Sequence, residues 1–172
     1  LGSIETRAGR DIDGETPLEF YGMPGHLIRR MHQASQAIFD RAMAEAGFDL
    51  TSVQFAALST IAARPGLDQA TLAAAIAFDR PTTGGVIDRL EAKGLVRRKV
   101  SAGDRRAREL YAEPKGETVL SAVRPIVRKV QKRMLHGLTA QEQATLLRLL
   151  AKALDEVGEA SRAVGAVSPL RR

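Results

Sequence analysis

The densest chemistry in this sequence is cationic. Between Arg89 and Arg108 stand eight basic residues (Arg89, Lys93, Arg97, Arg98, Lys99, Arg105, Arg106 and Arg108) against two acidic ones, Glu91 and Asp104. That excess equals the net charge of the whole chain, +6 at pH 7, so the rest is electrically balanced. Guanidinium and ammonium groups gathered in a short stretch pair with phosphates, and a local basic segment on a neutral chain is the footprint of a polyanion-binding surface, nucleic acid first among them. A second cationic group is formed by His26, Arg29 and Arg30. Their i, i+3, i+4 spacing puts them on one face of a helix. Near a helix N-terminus such a face can hold a carboxylate or the phosphates of a thioester, and it serves equally as a solvated or intersubunit ion-pair surface.

Other chemistries lack their parts. The chain has no cysteine, which excludes disulfides, thiolate nucleophiles, Cys-based zinc sites and thiol redox sensing. His32 lies six residues from His26 and faces elsewhere, and His136 is distant, so no metal site is expected. There is no Ser/His/Asp set, carboxylate pair in a recognisable context or Gly-rich phosphate loop, so neither an enzyme nor a cofactor is expected. No apolar run approaches the roughly 18–20 residues of a membrane span, and the polar N-terminus has no secretory core, so a cytoplasmic protein without membrane contact is expected.

The elements that must position these groups can be read from periodicity. Residues 1–20 mix glycine, proline and charge, and are expected to form a flexible arm. From Pro24 to Ala46 apolar residues recur at three- and four-residue steps up to Gly47, a left-handed stop. Thr51 and Gln54 form a capping box for a second helix ending near Ala63, before Arg64-Pro65-Gly66. Asp68 caps a third helix, with Leu67 and Leu72 spaced as a hydrophobic staple, and Asp79 caps a fourth that runs to Gly94 with Pro81 in its first turn. The period then drops to two. Val96 and Val100 alternate with Arg97 and Lys99, Ser101-Ala102-Gly103-Asp104 is a turn, and Arg106 to Ala112 returns as a second strand. A helical pattern from Pro114 is expected to kink or restart at Pro125, and Thr139 and Glu142 box the start of a last helix. The fold class is mainly α with a small β-hairpin. Residues 51–112 form a DNA-binding domain, 24–48 and 115–158 a helical dimerisation region, and 159–172 a flexible tail. Phe39, Phe48 and Phe55 are most simply core residues, although an aromatic-ligand pocket could borrow one or two.

Two short helices joined by a tight turn and followed by a basic hairpin make a winged helix-turn-helix. The stretch Asp79 to Val96 (DRPTTGGVIDRLEAKGLV), then Arg97-Arg98 and Gly103-Asp104-Arg105-Arg106, resembles the MarR family of bacterial transcription regulators. The resemblance spans about Pro24 to Val157. Pro24 to Arg30 and Gly66 to Leu72 are similar to a subgroup that often regulates aromatic-acid catabolism. The resemblance implies a homodimer on double-stranded operator DNA, with the Asp104-Arg105-Arg106 segment as the wing in which the acid braces the loop and an arginine, Arg106 or alternatively Arg105, enters the minor groove. With no cysteine to oxidise, release by a small-molecule effector is the mode it implies.

On this reading the helix after Asp79 enters the major groove and brings Arg80, Thr82 and Thr83 to base edges and phosphates, while Arg89, Arg97, Arg98, Lys99 and Arg108 meet phosphates. His26, Arg29 and Arg30 are the candidate effector contacts. Gly84-Gly85 costs helix stability; close approach to DNA or to a neighbouring helix would compensate it, and tolerated drift accounts for the pair equally well. The expected function is a ligand-responsive regulator, a repressor released from a pseudo-palindromic operator by a small anionic aromatic acid or its thioester. The alternative is an architectural, low-specificity DNA binder without an effector.

Overall fold

The computed structural model describes residues 19–101 and 108–165, with side chains from Phe20 to Glu156 within those ranges. The chain divides into two compact units, one ending at Met134 and the other beginning at Leu135.

In the first unit a short 3-10 helix (Glu19–Gly22) precedes α1 (Pro24–Glu45), α2 (Ser52–Ala63), β1 (Leu67–Asp68), α3 (Gln69–Ile76), α4 (Arg80–Ala92), β2 (Val96–Val100), β3 (Arg108–Ala112) and α5 (Pro114–Met134). Each boundary has a local cause. The Thr51 hydroxyl accepts from the Gln54 N–H while the Gln54 side chain accepts from the Thr51 N–H, satisfying two orphan donors of α2. Asp68 and Asp79 cap α3 and α4. Leu67 and Leu72, the expected staple, are both buried. Gly47 takes a φ of +75° and stops α1.

The strands pair antiparallel in the order β1-β3-β2, with Val96 opposite Ala112 and Lys99 opposite Glu109. One core joins α1 through α5 and the sheet: Phe39, Met43, Leu58, Ile61, Leu72, Ile87, Leu90, Leu110, Leu120 and Val123 are all buried. Phe39 and Phe55 meet at 6.2 Å between ring centres, which fits their reading as core, and Phe48 packs on the same cluster.

Several expectations need correction. Glu19 and Phe20, expected at the end of the arm, open the 3-10 helix Glu19–Gly22. Leu67–Asp68 adds a third strand, too short for an alternation signal, held to β3 at Leu110 and Glu109. α5 is continuous through Pro125, so the helix does not restart there. Pro125 and Ser121 are both exposed, so the Ser121 carbonyl that loses its i+4 donor faces water instead of the core.

The second unit is α6 (Ala140–Gly165) and the turn before it. The Thr139–Glu142 capping box forms, and Gln143 Nε2 donates to the carbonyls of Leu135 and Leu138, closing that turn. α6 continues to Gly165, past the boundary expected at residue 158. No helix among the described residues is long and apolar enough to cross a membrane.

Candidate nucleic-acid interface and effector site

The α3–α4 pair is built by two aspartates and a left-handed turn. Asp68 Oδ1 accepts from the Thr71 N–H at 2.8 Å, and Asp79 Oδ1 accepts from the Thr82 N–H at 2.7 Å. The Thr71 and Thr82 hydroxyls donate to the second oxygens of the same carboxylates. These bonds favour the charged form, so both carboxyls titrate below the usual aspartate range, Asp79 chiefly through the Thr82 N–H and Asp68 chiefly through the Thr71 N–H. Between the helices Ala77 adopts φ 56°, a left-handed position uncommon outside glycine, and the Phe78 N–H bonds back to the Ala73 carbonyl.

α4 turns Thr83, Val86, Ile87 and Leu90 into the core. Its exposed face carries Arg80, Pro81, Thr82, Asp88 and Arg89. Thr83 corrects the sequence-based expectation: it is fully buried, its hydroxyl donates to the Asp79 carbonyl at 2.8 Å, and it cannot reach a base edge. The Thr82 hydroxyl is engaged with Asp79, so what Thr82 offers outward is its methyl group. Gly84 is explained from within the chain. A Cβ there would stand 3.1 Å from Gln69 Nε2, the group that donates to the Arg80 carbonyl and ties α3 to the start of α4.

The basic segment is less uniformly available than its composition suggests. Lys93 is withdrawn into the α1–α2 junction, where Nζ donates to the Asp49 carbonyl at 2.6 Å and to Gln54 Oε1 at 3.2 Å, and pairs with the Asp49 carboxylate at 2.9 Å. Arg98 was expected at a phosphate, and here too the expectation is corrected. Its guanidinium bridges Asp88 at 2.5 Å and Glu91, and its side chain is 25% exposed, so it fastens β2 to α4. Arg97 pairs with Glu113 at 2.7 Å and lies 4.7 Å over the Tyr111 ring, while remaining half-exposed. Arg80, Arg89 and Lys99 are exposed, with no salt-bridge partner among the described residues. Arg108 is exposed at the start of β3. Asp104, Arg105 and Arg106, the expected wing tip, lie outside the described residues.

Sequence reasoning missed Gly116, in the first turn of α5. A Cβ there would fall 2.2 Å from the Leu95 carbonyl oxygen, which also accepts from the Glu113 N–H at 2.9 Å. Glycine at this position is what lets α5 leave the base of the wing at this angle. A Pro-x-Gly at a helix start reads as punctuation, and nothing in the sequence says which backbone it approaches.

The second cationic group does assemble. His26 stands edge-on to Phe20 and Tyr21, with ring centres 4.9 and 5.2 Å away. Its Nε2 is shut off from solvent with no hydrogen-bond partner among the described residues, although the residue as a whole stays half-exposed. Partial desolvation, then the positive charges of Arg29 and Arg30, pull its pKa below the ordinary histidine value. Arg29 leans toward Gln33, and Arg30 is exposed. A separate groove of about 330 Å³ lies between α1 and α5, lined by Ile38, Ala42, Glu45, Ala46, Ile126, Lys129, Val130 and Arg133. Its nearest α1 residue is twelve positions from His26, about 18 Å along the helix axis, so the two are different places. Among the described residues no cluster of metal-binding side chains occurs.

Comparison with known proteins is consistent with this geometry. Residues 48–107 match the MarR family model. Over 140 residues the chain is 33% identical to the HTH-type transcriptional repressor NicR of Pseudomonas putida, covering 81% of this chain and 87% of that one. The chain belongs to the MarR family. Solved MarR-type structures superpose closely. BpsR of Bordetella bronchiseptica, whose DNA binding is regulated by 6-hydroxynicotinic acid, has a TM-score of 0.75 at 28% identity, covering 81% of this chain and 99% of that one. The transcriptional repressor CouR, solved on a 23-mer DNA duplex, has a TM-score of 0.73 at 27% identity over 81% of this chain and 98% of that one. The family match spans α2, the helix-turn-helix and β2, the part of the fold in which α4 and the wing carry exposed cations on one winged helix-turn-helix.

Proposed function

We propose that this chain is a homodimeric repressor that holds a pseudo-palindromic operator through α4 and the wing and releases it when a small anionic aromatic acid, or its thioester, binds at the start of α1. The observation that carries the reading is the outward face of α4, where Arg80, the Thr82 methyl and Arg89 stand exposed beside a basic hairpin on a MarR fold. The repressor and effector assignments draw on the relatives: NicR is named a repressor, and BpsR is regulated by an aromatic acid. Lys99, Arg97 and Arg108 are phosphate contacts in this account, and Arg106 is the minor-groove residue by its spacing in the Asp-x-Arg segment. Localisation in the cytoplasm follows from a chromosomal target.

The dimer is supported by unpartnered apolar surface. In the first unit Met23, the N-cap of α1, and Leu27 and Met31 on α1, spaced four residues apart, are 40–48% exposed, with Ile28 beside them at 58%. In the second unit Leu147, Leu150 and Leu154 form another exposed stripe on α6. Large apolar side chains at helical spacing are covered in a stable protein, and a second copy is the partner that supplies matching stripes.

Effector release is a linkage: a ligand that favours a spacing of the two α4 helices incompatible with DNA weakens operator affinity by its differential binding free energy. His26, Arg29 and Arg30 suit an anion, and the adjacent Phe20 and Tyr21 rings suit an aromatic body. The test is titration of labelled DNA from the chain's own upstream promoter with a panel of aromatic acids and their thioesters. Dose-dependent release by one chemical class supports the proposal; an operator complex indifferent to every member of the panel refutes its effector half.

A further inference from the structure

The two glycines inside α4 have different surroundings, and the difference assigns a role to the second. Glycine in a helix interior is costly relative to alanine, so each needs a compensating contact. Gly84 has one within the chain, the Gln69 amide at 3.1 Å from its absent Cβ. Around Gly85 nothing lies within 4 Å, so no contact among the described residues requires the missing side chain. Its neighbours on the helix surface are Pro81 and Thr82 at i−4 and i−3 and Asp88 and Arg89 at i+3 and i+4, all exposed, with Arg80 at the N-terminal end. Gly85 therefore lies in the middle of the outward face as a half-buried stretch of bare backbone, with Arg89 beside it and the one nearby acid, Asp88, already paired with Arg98.

We infer that Gly85 is the point of closest approach between α4 and the duplex, a specificity-determining position that works by absence. A glycine offers no side chain to hydrogen-bond a base. What it permits is depth: the helix axis seats nearer the floor of the major groove, which brings the Thr82 methyl within contact of a thymine methyl and Arg89 within reach of the flanking phosphates. A Cβ at residue 85 holds the helix away from the base pairs. Loose phosphate-based association tolerates that displacement, whereas base-edge readout does not, so the penalty falls on specific binding. The inference rests on α4 being the DNA-reading helix.

The test compares Gly85→Ala and Gly85→Leu with the wild-type chain, reading thermal stability without DNA and affinity for both its upstream promoter DNA and a random duplex at one salt concentration. The inference predicts opposite signs. Both variants gain stability, by about 2–4 °C for alanine, because a helical glycine with open space at its Cβ position has been replaced by a better helix former. Promoter affinity falls by roughly tenfold for alanine, the size of one lost base-pair contact, and further for leucine, while random-DNA affinity stays within about threefold. Promoter affinity within twofold of wild type for both variants, or a loss of stability in either, overturns the inference. A wild-type chain that does not prefer promoter to random DNA overturns instead the reading on which it rests.

Discussion

Substituting Gly116 with alanine tests whether the junction between the wing and α5 is built as described. The new Cβ would stand 2.2 Å from the Leu95 carbonyl oxygen, 3.1 Å from its carbon and 3.2 Å from Leu58 Cδ1, where ordinary contact begins at 3.4 Å. Two of the three obstacles are backbone, so no rotamer change relieves them; α5 and the start of β2 must part by roughly 1 Å. That movement disturbs the bond from the Glu113 N–H to the same carbonyl and loosens Leu95, Leu58 and Leu120, all buried. Overpacking of this kind costs about 1–3 kcal/mol and the strained hydrogen bond about 1 kcal/mol more, partly offset by the better helix propensity of alanine. The expected net loss is about 1–3 kcal/mol, or roughly 2–12 °C in Tm for a chain of this size. Gly25→Ala is the control, since nothing lies within 4 Å of its Cβ position, and a change within about 0.5 kcal/mol is expected there. Denaturant and thermal unfolding of the two variants side by side decide it. If Gly116→Ala is as stable as Gly25→Ala, the close approach of α5 to Leu95 is wrong.

Thr83→Val should leave promoter affinity within about threefold of wild type, because Thr83 is buried, while Thr82→Ala removes an outward methyl and lowers it by about tenfold; gel-shift titration checks both. Lys99→Ala should weaken binding to promoter and random DNA alike and reduce the slope of log affinity against log salt by about one per site, whereas unequal losses would make Lys99 a reader of sequence. Arg30→Ala should preserve operator affinity and raise the effector concentration for release roughly ten- to a hundredfold, the worth of a charge-assisted hydrogen bond; lost DNA binding with unaltered release would make the cluster structural. An anion bound beside His26 raises its depressed pKa, so binding takes up a proton, and effector affinity should weaken as pH rises through the histidine range. Calorimetry in buffers of different ionisation enthalpy would show that uptake. The Asp68 and Asp79 caps have depressed pKa values, so their stabilisation is complete above the ordinary aspartate range and is lost as pH falls through the folded-state values; stability measured between pH 6 and pH 2 should decline where these carboxyls protonate.

Helix existence and starts were legible because they depend on local chemistry. Thr51, Asp68, Asp79 and Thr139 each announce a helix with their own side chains, and all four caps form. Elements fixed by distant contacts were not. β1 has two residues and exists only because β3 passes beside it. Pro125 signals a break that its solvent exposure makes tolerable. In the candidate site the position of the basic segment was legible and its pairing was not: composition counts Lys93 and Arg98 as available charges, while the acids that engage them, Asp49 and Asp88 outside the segment and Glu91 within it, meet them only in the folded chain. Thr83 was misplaced for a related reason. Adjacent threonines look alike in sequence, and a rotation of about 100° per residue sends one to solvent and the next into the core.

Competition binding tests the central claim most directly: affinity of the intact chain for its upstream promoter DNA, challenged with unrelated duplex at near-physiological salt. A sequence-reading dimer with α4 in successive major grooves predicts a preference of about a thousandfold or more, with footprints on one face of the duplex about 10 bp apart. A preference near unity, with protection that moves along the DNA, would contradict it and leave a low-specificity binder held by phosphate charge alone.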